Sequence, residues 1–414
     1  MNYLNTRGDR VEHLLEKATR QHTKDHNSRL VLRAIYEYGE VSRADLARLT
    51  GLTRATISEV VAELMERGLV EETGHGAVAI GRTPILLSVV DDARRVLAIS
   101  VTNEAVAGAL VNLRGAVHQE LYRPLPGREG DTVLATIYAV ADELLRLADR
   151  PLLGIGINTP GLIDTTTGTV LRAVNFGWEE LPLSALLHQR TGLPVYVAND
   201  SHSLALAEYM FGDAPGSPNL VVIKVGQGIG AGIVLGGHLF SGDGYGAGEI
   251  GHLVVNPEGS PCKCGNRGCL ETVASSAVIL ARARAHAADP ASILGRGAAS
   301  PATLTMEDVA RAVAEGDQAA QAIVAEAGHY LGIAVASLVS VLNVRRILIT
   351  GRIAPLGTTL RDAVRAELSR RVLPALTHET SIEVRAMPPE APLLGATAPL
   401  LTYELGLGRL QRRP

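Results

Sequence analysis

No stretch of the 414 residues reaches the run of about 18 uninterrupted apolar positions that a membrane-spanning helix needs. The first twenty residues alternate charges with leucines and hold no apolar leader core. Both absences predict a soluble cytoplasmic protein with no membrane partner. Charge of one sign is also lacking: the net charge is only -4, so any contact with nucleic acid has to be local. Cysteine is scarce too, at three residues, which excludes a disulfide framework. Apolar residues, by contrast, make up 46% of a chain too long for one core, and two or three domains are expected.

The three cysteines fall together in Cys262-Lys263-Cys264-Gly265-Asn266-Arg267-Gly268-Cys269, with His252 ten positions before the first. Cys262 and Cys264 are too close for an easy disulfide, while Gly265 and Gly268 permit the reversal that returns Cys269 to the same point. Three thiolates and one imidazole form a closed tetrahedral set, so His252, Cys262, Cys264 and Cys269 are predicted to hold a structural zinc ion, Zn2+.

The N-terminal part is predicted to read DNA. After an N-terminal helical arm over residues 1–26, Leu30, Val31, Ala34 and Ile35 recur at helical spacing until Gly39. A second helix starts at Ser42, where Ser42 and Asp45 form a capping box, and Val41 can staple onto Leu46. Thr50-Gly51-Leu52 makes a turn, and Thr53 caps a third helix carrying Ile57, Val60, Val61, Leu64 and Met65. Two short capped helices around a glycine turn are a helix-turn-helix, whose second helix offers its first residues to the major groove. The DNA-contact candidates are Thr53, Arg54, Ala55, Thr56 and Ser58, with Ser42 and Arg43 at the start of the preceding helix. Arginine can take a guanine edge through two hydrogen bonds. Leu69–Glu72 and Thr83–Leu87 read as strands around a glycine-rich turn, making a winged helix over residues 27–90 with Arg82 as a wing contact.

The body, residues 91–414, is identified by its motifs. Gly248-Glu249-Ile250-Gly251-His252 and the cysteine segment closing at Gly268-Cys269-Leu270-Glu271 lie at the mutual distance found in the ROK family of repressors and sugar kinases, which the chain resembles from about Val96 to Leu405. The resemblance implies an α/β fold: a two-lobed, actin-like ATPase domain of the sugar-kinase type behind the winged helix. It also implies sugar contacts by Gly161, Asn175, Asn199, Asp200, Glu249, His252 and Glu271. In the kinases Asp200 corresponds to the general base toward the sugar hydroxyl, and the same carboxylate serves equally as a plain acceptor. His252 then has two duties, one ring nitrogen on the metal and the other edge toward the ligand. Trp178, the sole tryptophan, is close enough in sequence to Asn175 to be expected to report on the pocket.

The nucleotide side departs from the family. Its first phosphate hairpin carries Asp at the start and Gly-Gly-Thr in the turn, whereas this chain has Ser100, Thr102, Asn103 and Glu104. Side chains obstruct close approach of phosphate to backbone N–H groups, and a carboxylate about 4 Å from a phosphate oxygen repels it by roughly 1 to 4 kcal/mol. Gly226-Gln227-Gly228-Ile229-Gly230-Ala231 loosely fits a dinucleotide fingerprint, but the following residues read as strand, so it is assigned to the second phosphate hairpin, with Gln227 in place of Thr. Arg352 occupies a turn that is normally glycine beside adenosine. A long helix over Ala319–Leu342 and a mobile loop over Ala287–Ser300 complete the reading. The expected function is a sugar-responsive regulator, most often a repressor of carbohydrate genes, acting on double-stranded operator DNA as a homodimer or homotetramer with a small sugar as effector and no enzymatic activity. The competing readings are an ATP-dependent sugar kinase of the same family and a protein-interaction scaffold.

Overall fold

A computed structural model describes residues 20–75, 83–212, 217–287, 289, 292–296 and 300–407. It divides into two compact units, Met1–Arg94 with Leu401–Leu410, and Arg95–Leu400 with Gln411–Pro414. The described residues after Leu400 therefore group with the head, although the sequence placed them in the body.

In the head, α1 (Arg20–Tyr38) begins seven residues before Asn27 and so absorbs the end of the expected arm, whose residues 1–19 lie outside the described ones. Then come β1 (Val41–Ser42), α2 (Arg43–Thr50), α3 (Arg54–Glu66), β2 (Val70–His75) and β3 (Ile85–Val89). The capping box forms as read: the Asp45 N–H donates to Ser42 Oγ at 3.2 Å, and the Ser42 N–H donates to Asp45 Oδ2 at 3.3 Å. Thr53 Oγ1 accepts from the Thr56 N–H at 3.2 Å and so starts α3. Val31, Ile35, Leu46, Ile57, Val61, Leu64 and Leu87 are buried, each contributing about 1.5–3 kcal/mol by burial. The sheet order is β1-β3-β2, with Val41 opposite Leu87. The two-residue β1 was not visible in sequence, since it is too short to show alternation. The wing turn, including Arg82, lies outside the described residues.

The body has two lobes. The first holds a five-stranded sheet in the order β11-β7-β4-β5-β6. Its strands are β4 (Arg95–Val101), β5 (Ala105–Val111), β6 (Val117–Pro124), β7 (Leu152–Thr159) and β11 (Val195–Asn199). β4 is buried throughout, as a strand covered on both faces must be. α4 (Gly130–Leu147) lays Val133, Ile137, Val140, Ala141 and Leu144 on that sheet at helical spacing. A small antiparallel sheet follows, β8 (Leu162–Asp164), β9 (Thr169–Ala173) and β10 (Trp178–Leu181), then α5 (Leu183–Thr191). Trp178 is 6% exposed and packs against Phe176 at 4.9 Å in the first-lobe core, so it reports that core and not the cleft directly.

The second lobe has the sheet order β14-β13-β12-β15-β16. α6 (Asp200–Phe211) leads into β12 (Leu220–Val225), β13 (Ile229–Leu235) and β14 (His238–Leu239). Because β13 is a strand, the dinucleotide fingerprint fails as expected. After the cysteine segment come α7 (Glu271–Ala274), α8 (Ser276–Ala287), α9 (Met306–Ala314), α10 (Gln318–Leu342), β15 (Arg346–Gly351), α11 (Gly357–Arg371), α12 (Pro374–Glu379), β16 (Ser381–Val384) and α13 (Ala391–Leu405). α10 is the one helix among the described residues long and apolar enough to cross a membrane by length and composition, and it is a core helix. Gly328 and Gly332 let it close on α11, where added Cβ atoms would come within 2.4 Å of Ala363 and 2.5 Å of Glu367. In the segment expected to be a mobile loop, residues 288, 290, 291 and 297–299 lie outside the described ones. The remainder is tied down: Leu294 is fully buried, and Ser292 Oγ donates to Asp317 Oδ2 at 2.8 Å.

Candidate functional site

The C-terminal end of β11 and the first turn of α6 place Asn199 and Asp200 where the lobes meet. Asn199 is largely committed to structure. Its Oδ1 accepts from the Ser201 and His202 N–H groups at 2.8 and 3.3 Å, and its Nδ2 donates to the Gly161 carbonyl at 2.8 Å. That leaves one amide hydrogen for a ligand. Gly161 lies at φ 119°, and a Cβ there would sit 2.5 Å from the Arg172 carbonyl oxygen, so only glycine lets this strand end turn into the cleft.

Asp200 forms an ion pair with Lys224 of β12. Burial alone would raise its carboxyl, but the Lys224 ammonium, together with hydrogen bonds from Lys224 and Ser201, holds it below the usual carboxylate range. Glu249 is drawn the other way. The surrounding protein withdraws water from it and raises it; His252 opposes this, and the carboxylates of Asp200 and Glu271 add to it. Of the expected residues, Asp200, His252 and Glu271 thus all bear on the Glu249 carboxylate. Glu271, at the start of α7, is mostly buried; its Oε2 accepts from the Ile229 N–H at 3.2 Å and its Oε1 pairs with Lys263 at 3.1 Å. Asn175 Nδ2 donates to Asn103 Oδ1 at 3.0 Å.

Sequence reasoning missed four residues here. Lys224 and Lys263 neutralise carboxylates, Tyr245 reaches Thr166 Oγ1 at 2.8 Å between the lobes, and the ring of buried His202 lies 2.8 Å from the Ala247 carbonyl, holding the loop that carries Glu249. Lys224 did leave a signal, being the sole charge in the strand Leu220–Val225.

The four metal-ligand candidates also converge, with ligand atoms all within 4.8 Å of one another. His252 Nδ1 is 3.6 Å from Cys262 Sγ, and Cys264 Sγ is 3.6 Å from Cys269 Sγ. A tetrahedral ion with bonds of roughly 2.0–2.3 Å has ligand–ligand edges of about 3.3–3.8 Å, so this donor set fits one. Burial and the neighbouring thiols push the Cys269 thiol up to about 12, the direction a coordinated cation reverses. His252 Nε2 meanwhile lies 3.9 Å from Glu249 Oε2. The Leu270 N–H donates to the Leu253 carbonyl at 2.8 Å, tying the Cys269–Glu271 segment to His252.

On the nucleotide side the hairpin between β4 and β5 is closed upon itself. Thr102 Oγ1 accepts from the Glu104 and Ala105 N–H groups at 3.3 and 3.1 Å, taking donors that a phosphate would need. Ser100 Oγ donates to Asn158 Oδ1 at 2.8 Å in place of the family's carboxylate. Glu104 forms an ion pair with Arg352, and Asn103 Nδ2 donates to Gln227 Oε1 at 3.2 Å. The three nucleotide-facing departures thus bond to one another from opposite lobes. With Glu104 and Arg352 each about half exposed, at 50% and 52%, their pair contributes only about 0–1 kcal/mol to stability.

In the head, Thr53, Arg54, Ala55 and Ser58 are exposed at the start of α3, and Thr56 is half-buried beside them. Several of the expected DNA contacts are engaged within the head: Thr53 Oγ1 caps α3, and Ser58 Oγ donates to the Arg54 carbonyl at 3.0 Å. Ser42 is 4% exposed and its hydroxyl donates to Asp45 Oδ2 at 2.6 Å, so it is a helix cap and is corrected from contact to support. Arg43 pairs with Glu72 of β2 at 3.0 Å and can reach phosphate only by leaving it.

Residues 75–402 match the ROK family, and residues 27–77 match the MarR family. The chain belongs to the ROK family. Among curated proteins, the ROK chain is 30% identical over 383 residues to the xylose repressor of Caldicellulosiruptor bescii, covering 92% of this chain and 96% of that one. It is 32% identical over 361 residues to the DNA-binding transcriptional dual regulator NagC of Escherichia coli strain K12, covering 85% and 86%. Among solved structures, a ROK family transcriptional regulator, a homolog of the E. coli MLC protein, superposes with a TM-score of 0.81 at 30% identity, covering 93% and 98%. A ROK family glucokinase from Streptomyces griseus, in complex with glucose and AMPPNP, superposes with 0.64 at 28% identity, covering 73% of this chain and 97% of that one. The expected fold, winged helix-turn-helix plus two-lobed sugar-kinase-like body, is the fold observed.

Proposed function

We propose that this ROK protein is a sugar-responsive DNA-binding transcriptional regulator that represses carbohydrate-utilisation genes from the cytoplasm. The supporting observation is an asymmetry within one cleft. Asp200, Glu249, His252 and Glu271 converge on its sugar side, while on its phosphate side the hairpin donors are consumed by Thr102 and Glu104 is paired with Arg352. The names of two relatives, a xylose repressor and a DNA-binding transcriptional dual regulator, and the MarR-family match of this chain's head favour the same reading over a kinase.

In this reading a sugar is held through Gly161, Asn199, Asp200, Glu249, His252 and Glu271, with Asn175 at the edge. Zinc held by His252, Cys262, Cys264 and Cys269 supplies rigidity to the loop and no chemistry to the ligand. The sugar changes operator affinity because it prefers one lobe arrangement, and each tenfold change needs about 1.4 kcal/mol of that preference. Thr53, Arg54, Ala55, Thr56 and Ser58 face operator DNA, and a homodimer or homotetramer presents paired heads to half-sites about 34 Å apart.

The kinase alternative is tested by coupled ADP release with ATP and a panel of hexoses, pentoses and N-acetylhexosamines. No sugar-dependent release above background is expected. Turnover that Asp200→Asn abolishes would overturn the regulator reading, because it would make that carboxylate a working base.

A further inference from the structure

β12 is the middle strand of the second-lobe sheet, and its other five residues are buried and apolar. Lys224 sits opposite Gly230 on one side and Thr350 on the other, and its side chain keeps 31% of its surface accessible. A charged group in such a strand is costly unless it is matched. The match is Asp200, which stands in the first turn of α6, where the N-terminal end of the helix already favours a negative charge. Lys224 is the main group that keeps Asp200 ionised against its burial. That pairing leaves the lysine spare capacity, because its ammonium carries three donors of which Asp200 uses one.

Charge matching within the cleft narrows that role. Lys224 is matched by Asp200, and Lys263 is matched by Glu271 at 3.1 Å, which leaves Glu249 as a surplus carboxylate. No unmatched positive charge faces the ligand among these groups, so a phosphate or carboxylate on the sugar would meet net repulsion.

Resting on the proposed sugar site, the geometry points to Lys224 as a further ligand-binding residue, whose ammonium donates to one sugar hydroxyl while Asp200 accepts from its neighbour, in a site selective for uncharged sugars. The pair reads adjacent hydroxyls as a donor and an acceptor held at fixed separation.

The test is isothermal titration calorimetry on the full chain with D-xylose, D-glucose and N-acetyl-D-glucosamine, the 6-phosphates of the last two, and single-deoxy analogues of the tightest binder. The expected results are tighter binding of a neutral sugar than of either phosphate, and an affinity at least tenfold weaker in Lys224→Met. One deoxy analogue should bind wild type and variant equally, since it lacks the hydroxyl that Lys224 contacts. Lys224→Gln, which retains an uncharged donor, should lose less and serves as the readable variant if Lys224→Met does not fold. Unchanged affinity in the folded variants, an equal loss for every deoxy analogue, or tighter binding of a 6-phosphate would overturn the inference while leaving the sugar site in place. Wild type that binds neither sugar nor sugar phosphate would instead remove the sugar-site reading, and this inference with it.

Discussion

Replacing Arg54 by alanine is expected to weaken operator binding by about 1–3 kcal/mol per half-site, and so by roughly 2–6 kcal/mol in a dimer that engages two half-sites. Arg54 is the first residue of α3 and is exposed, directly after the Thr53 cap that fixes where the helix begins. A long cation at that place is positioned as the proposed base contact, and alanine costs the helix nothing in propensity. Fluorescence anisotropy with labelled DNA from upstream of the protein's own gene measures the loss. The sugar affinity of the body should be untouched. An Arg54→Ala protein that binds operator as tightly as wild type would show that α3 is not the reading helix.

Removing the metal proposed for the cysteine knot is expected to have the second large effect. Chelation, or Cys269→Ser at a fully buried ligand position, should release the segment running from His252 to Glu271. A structural ion present at a thousand times its dissociation constant stabilises the folded state by about 4 kcal/mol, and its loss should lower the melting temperature by roughly 10 °C. Sugar affinity should fall at least tenfold, because the knot sets the Nε2 edge of His252 and the start of α7 at Glu271. Calorimetry before and after chelation, with zinc added back, reads both quantities. A chelated protein with unchanged melting and unchanged sugar affinity would separate the knot from the pocket.

Much of this arrangement was legible in the sequence because it is local. The Ser42–Asp45 box, the Thr53 cap, the cysteine spacing and the apolar stripes of α1 and α3 are set by residues within a few positions of one another. What escaped depends on pairing across the fold. Nothing in the neighbourhood of Lys224 announces Asp200, which lies 24 positions away, and nothing near Glu104 announces Arg352, 248 positions away. Ser42 and Arg43 read as DNA contacts by position, yet Ser42 is spent on its cap and Arg43 on Glu72, a strand residue whose register only the folded head reveals. Asn199 likewise looked like a free ligand group, while most of its amide holds Gly161 and the start of α6. The degenerate phosphate hairpin was visible as substitutions. That Thr102 turns back onto the Glu104 and Ala105 N–H groups was not.

The central claim is that sugar in this cleft is read out as a change in DNA binding and not as phosphoryl transfer. It is tested most directly by operator affinity, measured by anisotropy with and without saturating sugar, for wild type and for Asp200→Asn. The account predicts at least a tenfold change in the wild-type dissociation constant on adding sugar and no change in the variant. An operator affinity that sugar leaves unaltered in wild type, or the absence of any operator binding at low salt in either ligand state, would contradict it.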